Sequence, residues 1–169
     1  MKNQFRPFKQ VPNLIFGENS INRLDELIKF DLKNNYVLFI VDEYFKGKKF
    51  KIYDLFDSQI EFFASKKSEP KTSQIDELKL KILKNRKGVK PKLIVAIGGG
   101  STMDVGKSLS ILFNNDGSAE KYQGWDLVKN KGVHKIGIPT IAGSGSEASR
   151  TAVLTSTIKK MGINSDFSM

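Results

Sequence analysis

The stretch LIVAIGGGSTMDVGK, from Leu93 to Lys107, does most to narrow what this chain can fold into. Leu93 to Ile97 is apolar, too short for a typical helix and closed by Gly98, Gly99 and Gly100, so it reads as a buried strand. Beyond the glycines, Val105, Leu109, Leu112 and Phe113 recur at helical spacing and give a helix with one apolar face. Glycine at such a junction leaves no Cβ between the backbone and a ligand. The orphan amides of the first helical turn, aligned with the helix dipole, favour an anion. The junction therefore reads as a phosphate cradle, and a nucleotide pyrophosphate suits it.

Two phosphate motifs can be set against this turn. In G-x-G-x-x-G, Gly98 and Gly100 fit, but Met103 stands at the sixth position. In the Walker loop, Gly106-Lys107-Ser108 supplies the end, but Ser101 stands where the first glycine belongs. A P-loop binding a nucleoside triphosphate stays the second reading. The only run resembling its partner strand, Val37 to Asp42, precedes the glycines instead of following them.

A second segment sharpens the choice. His134 to Thr140 reads as another strand, followed by Ile141-Ala-Gly-Ser144-Gly-Ser-Glu147. Ser144 and Glu147 carry the S-x-x-E spacing of a capping box, which alone accounts for them without a ligand. Two turns rich in glycine and hydroxyls after two apolar strands would lie together at the carboxyl ends of an open parallel sheet, where ligands bind.

With Gly98-Gly-Gly-Ser101-x-x-Asp104-x-x-Lys107 followed by Pro139-Thr140-x-Ala-Gly143-Ser144-Gly-Ser-Glu147, the chain resembles the iron-containing (group III) alcohol dehydrogenases. The likeness runs from Phe16-Gly17 to Lys160-Met-Gly-Ile163. Tyr122-Gln-Gly-Trp125-Asp-Leu, with Ser-Glu-Ala-Ser-Arg150-Thr-Ala-Val-Leu, is similar to a branch that oxidises 3-deoxy-manno-octulosonate, an acidic sugar. The resemblance implies a Rossmann-like α/β fold, an open parallel sheet flanked by helices. It also implies that Gly98, Gly99, Gly100 and Ser101 hold the pyrophosphate of NAD(P), with Asp104 close by. Asp42 would meet the adenosine ribose, where a carboxylate accepts from a 2′-hydroxyl and repels a 2′-phosphate, favouring NAD over NADP. Thr140, Ser144 and Gly145 would line the adenine and nicotinamide side, and Lys160 falls near a lysine that reaches the cofactor. Read without the family, Asp42 is a solvated strand-end acid, Lys160 a solvated lysine, and Lys107 the partner of a helical ion pair with Asp104.

The chain departs from the family in one respect. There, one aspartate and three histidines in a helical second domain hold a divalent iron or zinc that activates the alcohol. This sequence has one histidine, His134, which lies in a strand, and no cysteine. The expectation is a single dinucleotide-binding domain over residues 1–169, lacking the helical metal domain. It would be a fragment, a truncated product or a free-standing remnant, without dehydrogenase turnover alone. An alcohol or sugar substrate would be met only with a second domain, and an uncovered domain face would invite self-association into homo-oligomers.

Composition fits a globular domain of 169 residues with 39% hydrophobic residues. No apolar run approaches the roughly 20 residues that cross a bilayer, and no leader is visible at Met1-Lys-Asn-Gln, so a cytoplasmic protein without a membrane partner is expected. The net charge of +10 raises a basic nucleic-acid or interaction module as a third reading. Against it, arginine appears only at Arg6, Arg23, Arg86 and Arg150, and Lys46, Lys48, Lys49 and Lys51 share one loop. A solvated basic surface is preferred, and a field that draws an anionic cofactor and substrate is a further alternative.

Other elements follow from patterning. Phe5 to Phe16 reads as an edge strand or two. Asn19 or Ser20 caps a helix carrying Ile21, Leu24, Leu27 and Ile28. Tyr36 to Val41 is the first core strand, Tyr44 to Asp57 is irregular, Ile60 to Phe63 is a strand, and Ser65 to Lys71 a loop. Thr72 or Ser73 caps a helix to about Arg86, with Ile75, Leu78, Ile82 and Leu83 inward. Trp125 packs down the long connection Asn114–Gly132, or stands as a wall beside the cofactor. A strand begins at Val153, and Asn164 to Met169 carry no packing signal.

Overall fold

The structure, a computed structural model, describes residues 11–28, 35–48, 57–64 and 69–168. Four parallel strands form the central sheet: β1 Val37–Asp42, β2 Ser58–Phe63, β3 Leu93–Gly98 and β5 His134–Pro139, in spatial order β2-β1-β3-β5. β1 and β3 are buried at every position, and their unbroken apolar runs reflect a sheet covered on both faces. The edge strands β2 and β5 are only partly buried, which explains why their sequences are more polar.

Alternation along β1 divides the core. Leu38 and Ile40 join Ile75 and Ile82 of α2 (Thr72–Asn85) and Val105, Leu109 and Leu112 of α3 (Gly100–Asn114). Val37, Phe39 and Val41 face the other way, onto Leu24 and Ile28. The helix read after Asn19 is a 3-10 turn, Ser20–Arg23, running into one α-turn, α1 (Leu24–Leu27). Asn19 adopts a left-handed conformation and makes no side-chain cap. Residues 11–16 hold no strand, and the remainder of the segment from Phe5 lies outside the described residues, as do most of Tyr44–Asp57 and residues 65–68.

A second, three-stranded sheet was not legible in the sequence. It pairs β4 (Gly124–Trp125) parallel to β7 (Lys160–Asn164), with β6 (Thr151–Thr155) antiparallel on the other side of β7. This sheet covers the face of α3 turned away from β3, so α3 is buried on nearly all sides from Thr102 to Phe113 rather than along one stripe. Gly106 is what brings the helix so near the central sheet, since a Cβ there would lie 2.8 Å from the Ala96 Cβ.

Two local expectations are corrected. Trp125 does not pack its connection down: it is 71% exposed, with the Arg150 guanidinium 5.7 Å above its ring. The connection is held by buried Tyr122, Gln123 and Val128, and by Asn115, which bonds the backbone of Asn130 in both directions. The segment from Asn164 also packs. Asn164, Ser165 and Ser168 are buried, and the Asn164 amide donates to the Gly124 carbonyl while its oxygen accepts from Thr151 Oγ1 at 2.6 Å. Polar anchoring of this kind leaves no hydrophobic period to read. Among the described residues no helix is long and apolar enough to cross a membrane.

Candidate functional site

The chain moves outward from β1 to β2 and then returns to place β3 on β1's other side. The crevice between the carboxyl ends of β1 and β3 is therefore the topological switch point, where open α/β sheets receive ligands. Asp42 ends β1 on one side, and Gly98 ends β3 on the other.

The glycine turn is built from close approaches. A Cβ on Gly98 would lie 2.5 Å from Thr102 Oγ1 and 3.0 Å from the Asp42 Cβ, so this glycine lets β1, β3 and α3 converge. A Cβ on Gly99 would lie 3.3 Å from Ile141 Cδ1, and one on Gly100 3.2 Å from the Ser144 Cβ. The two turns thus meet as the strand order requires, tied by the Thr140 amide donating to the Gly98 carbonyl at 2.9 Å. Gly99, Gly100 and Ser101 remain partly exposed. No side chain caps α3 at Gly99, and its first turn carries no acid, so the opening amides of a 15-residue helix are left facing the crevice.

Asp42 is 8% exposed rather than solvated. One oxygen accepts from the Tyr44 amide at 3.0 Å and the other from Thr102 Oγ1 at 3.4 Å, which fixes the carboxylate beside the glycine turn. Thr140, Ser144 and Gly145 are exposed along the second turn. Ser144 Oγ reaches Glu147 Oε2 at 3.5 Å, but the capping box does not form: the turn that follows is a three-residue 3-10 turn, Ser146–Ala148, with Gly145 at its N-cap and no side-chain cap. The chain is extended again at Ser149, because it must enter β6.

Asp104 is bonded to the second turn. Burial raises its carboxyl above the ordinary range, and its Oδ1 accepts from Ser146 Oγ at 2.7 Å. The helical pair with Lys107 exists at 3.7 Å, yet the ammonium has nearer partners. Lys107, 5% exposed, donates to Ser146 Oγ at 3.0 Å, Ser149 Oγ at 3.2 Å and the Thr151 carbonyl at 2.6 Å. Burial pushes its pKa down to about 8. This cluster was missed in the sequence, where Lys107 reads as the partner of Asp104 alone. Lys107 and Ser108 lie buried inside α3, not in a loop, which removes the Walker reading. Lys160 opens β7 and pairs with Glu69, on the segment leading into α2, not with a residue of the glycine turn.

His134 starts β5 on its exposed side, its pKa lowered by burial and then by Lys135 and Lys131. Among the described residues no group of three or more histidine, cysteine, aspartate or glutamate side chains could hold a metal. The described residues therefore offer no group for a catalytic metal ion, whereas the open α3 N-terminus and its partly exposed glycines could hold a dinucleotide.

A model of the iron-containing alcohol dehydrogenases matches residues 12–169. Sulfoacetaldehyde reductase of Bilophila wadsworthia (strain 3_1_6) is 40% identical over 77 residues, 44% of this chain and 20% of that protein. NAD-dependent methanol dehydrogenase of Bacillus methanolicus is 38% identical over 68 residues, 40% of this chain and 18% of that one. Among solved structures, sulfoacetaldehyde reductase from Bifidobacterium kashiwanohense in complex with NAD+ superposes with a TM-score of 0.79 at 24% identity, over 98% of this chain and 44% of that chain. Iron-containing alcohol dehydrogenase from Thermococcus thioreducens gives a TM-score of 0.64 at 26% identity, over 90% of this chain and 42% of that chain. The chain spans less than half the length of these relatives, and it belongs to the iron-containing alcohol dehydrogenase family.

Proposed function

We propose that this chain binds NAD at the switch point, as the cofactor-binding part of a metal-dependent alcohol dehydrogenase. The observation that carries it is the uncapped N-terminus of α3, whose partly exposed Gly99, Gly100 and Ser101 lie beside Asp42. Amides there would hold the diphosphate, and the second turn, Thr140 to Gly145, would flank the bases. Asp104 would support the site through Ser146, which stands beside the first turn of α3. Lys160 would reach the cofactor only by leaving Glu69. Bound NAD would accept a hydride from the alcohol carbon.

A carboxylate at Asp42 would repel the 2′-phosphate of NADP and would accept from the 2′-hydroxyl of NAD, so NAD is the preferred form. The finer substrate assignment is an acidic sugar, resting on Tyr122-Gln-Gly-Trp125 and on a net charge of +10, which favours anions. Titration with NADH, followed by nicotinamide fluorescence, should saturate and should be weaker for NADPH. Gly99→Asp places a carboxylate in the cradle and should abolish binding while the fold persists. Unchanged affinity in that variant would reject the site.

A further inference from the structure

We infer that Lys107 is a positioning residue: its buried ammonium holds the second glycine turn against α3 and so keeps that wall of the crevice in register with the Gly98–Ser101 turn. The consequence for dinucleotide affinity rests on the function proposed above. The wall is a short segment fastened at two ends. At one end the Thr140 amide is bonded to the Gly98 carbonyl. At the other, Ser146 Oγ lies between Asp104 Oδ1, 2.7 Å away, and Lys107 Nζ, 3.0 Å away. Between the fastenings, Gly143 and Gly145 have positive φ of 99° and 62°, and a Cβ on either would meet nothing within 4 Å. The intervening segment carries the Ile141 and Ser144 side chains that stand over Gly99 and Gly100, so holding its ends keeps those side chains in place over the glycine turn.

Lys107 does more than close a single contact. Its ammonium has three donors, and three acceptors are present: Ser146 Oγ, Ser149 Oγ and the Thr151 carbonyl. One side chain of the candidate cofactor helix thereby fixes the 3-10 turn and the start of β6 at once. The charged groups that face it are Asp104 on its own helix, Glu147 on the 3-10 turn and Lys135 on β5. The first two offset the charge that burial disfavours, and the third opposes it.

The test compares the chain with Lys107→Met, which keeps an unbranched stem but removes the donors, and with Lys107→Met combined with Asp104→Asn, which also removes the stranded carboxylate. NADH affinity, urea midpoint and amide hydrogen exchange are read on each. Lys107→Met should weaken NADH about tenfold, within the usual range of coupling between linked sites. It should also speed exchange over residues 141–149 while β1 and β3 stay protected. The double variant should recover the urea midpoint but not the NADH affinity or the slow exchange. A merely structural role predicts that all three recover together, which would overturn the inference. So would slow exchange over 141–149 in Lys107→Met. Should that variant fail to fold, Ser146→Ala with Ser149→Ala removes two acceptors, and the same exchange criterion decides. If the unmutated chain binds no NADH, the dinucleotide proposal fails by itself, and the exchange data still support or overturn the role of Lys107.

Discussion

Replacing Gly106 by alanine sets two effects of opposite sign against each other. Within a helix, alanine is favoured over glycine by about 0.5–1 kcal/mol, so propensity alone predicts a more stable chain. The structure predicts the reverse. The new Cβ would stand 2.8 Å from the Ala96 Cβ, whereas carbon atoms rest about 3.5–4.0 Å apart, so α3 would have to withdraw from β3 by roughly 1 Å. It cannot withdraw freely, because β6 and its turn pack on its other side. Overpacking of a confined core costs about 1–3 kcal/mol, which leaves a net loss of about 1 kcal/mol at the middle of the two ranges and about 2.5 kcal/mol at most. Urea unfolding followed by far-ultraviolet circular dichroism would measure it as a lower midpoint at constant slope. Exchanging the pair, Gly106→Ala with Ala96→Gly, moves the methyl across the interface and should recover part of the loss, a non-additivity of about 1 kcal/mol. A more stable Gly106→Ala chain, or strict additivity in the pair, would refute the reasoning.

Lys107 and Lys135 are each brought down to about 8 by burial, while an unfolded lysine stays protonated to about 10.5. Between those limits the unfolded chain binds more protons, so these groups make stability rise with pH from about 8 towards 10, and Lys107→Met should flatten the rise in urea midpoints. Tyr36, pushed up to about 12, acts oppositely above pH 10, which sets the upper end of the useful range. Trp125 fluorescence should emit near the maximum of hydrated indole and be quenched readily by acrylamide; protected emission would contradict its exposed place. Since the described residues gather no metal-ligand group, EDTA should leave the thermal midpoint unchanged, and the chain alone should oxidise no alcohol; metal-dependent NADH production would contradict both.

What the sequence disclosed depended on the kind of burial. β1 and β3 stand out because a strand covered on both faces needs an unbroken apolar run, and β3 is further marked by the glycines that its junction with α3 demands. α2 is legible for the same reason, with Ile75 and Ile82 at helical spacing on its buried face. The second sheet is not, because β4 has only two residues and β7 begins with the exposed Lys160 and Met161. Without that sheet, α3 reads as a helix with one apolar face and Lys107 as the partner of a helical ion pair with Asp104. In the same way, Gly106-Lys107-Ser108 looks like the end of a phosphate loop until the packing shows Gly106 against Ala96 and Lys107 turned to Ser146. At the candidate site, the steric and backbone-borne features were legible, the Gly98 to Ser101 turn and the second turn, whereas Asp42 read as a solvated strand-end acid and entered only through the family resemblance. The contacts made across distant segments, from Lys107 to the Ser146 and Ser149 hydroxyls and the Thr151 carbonyl, were not legible, since nothing local announces a contact between α3 and a turn forty residues on.

The most direct test of the account is an NMR titration of the isotopically labelled chain with NADH, following backbone amides one by one. Saturable shifts should appear at Gly99, Gly100, Ser101 and Thr102, with smaller ones at Asp42 and Thr140 to Gly145, and inorganic pyrophosphate should reproduce the first group alone. Saturable binding that leaves those four amides unmoved, or no binding at millimolar NADH, would contradict it.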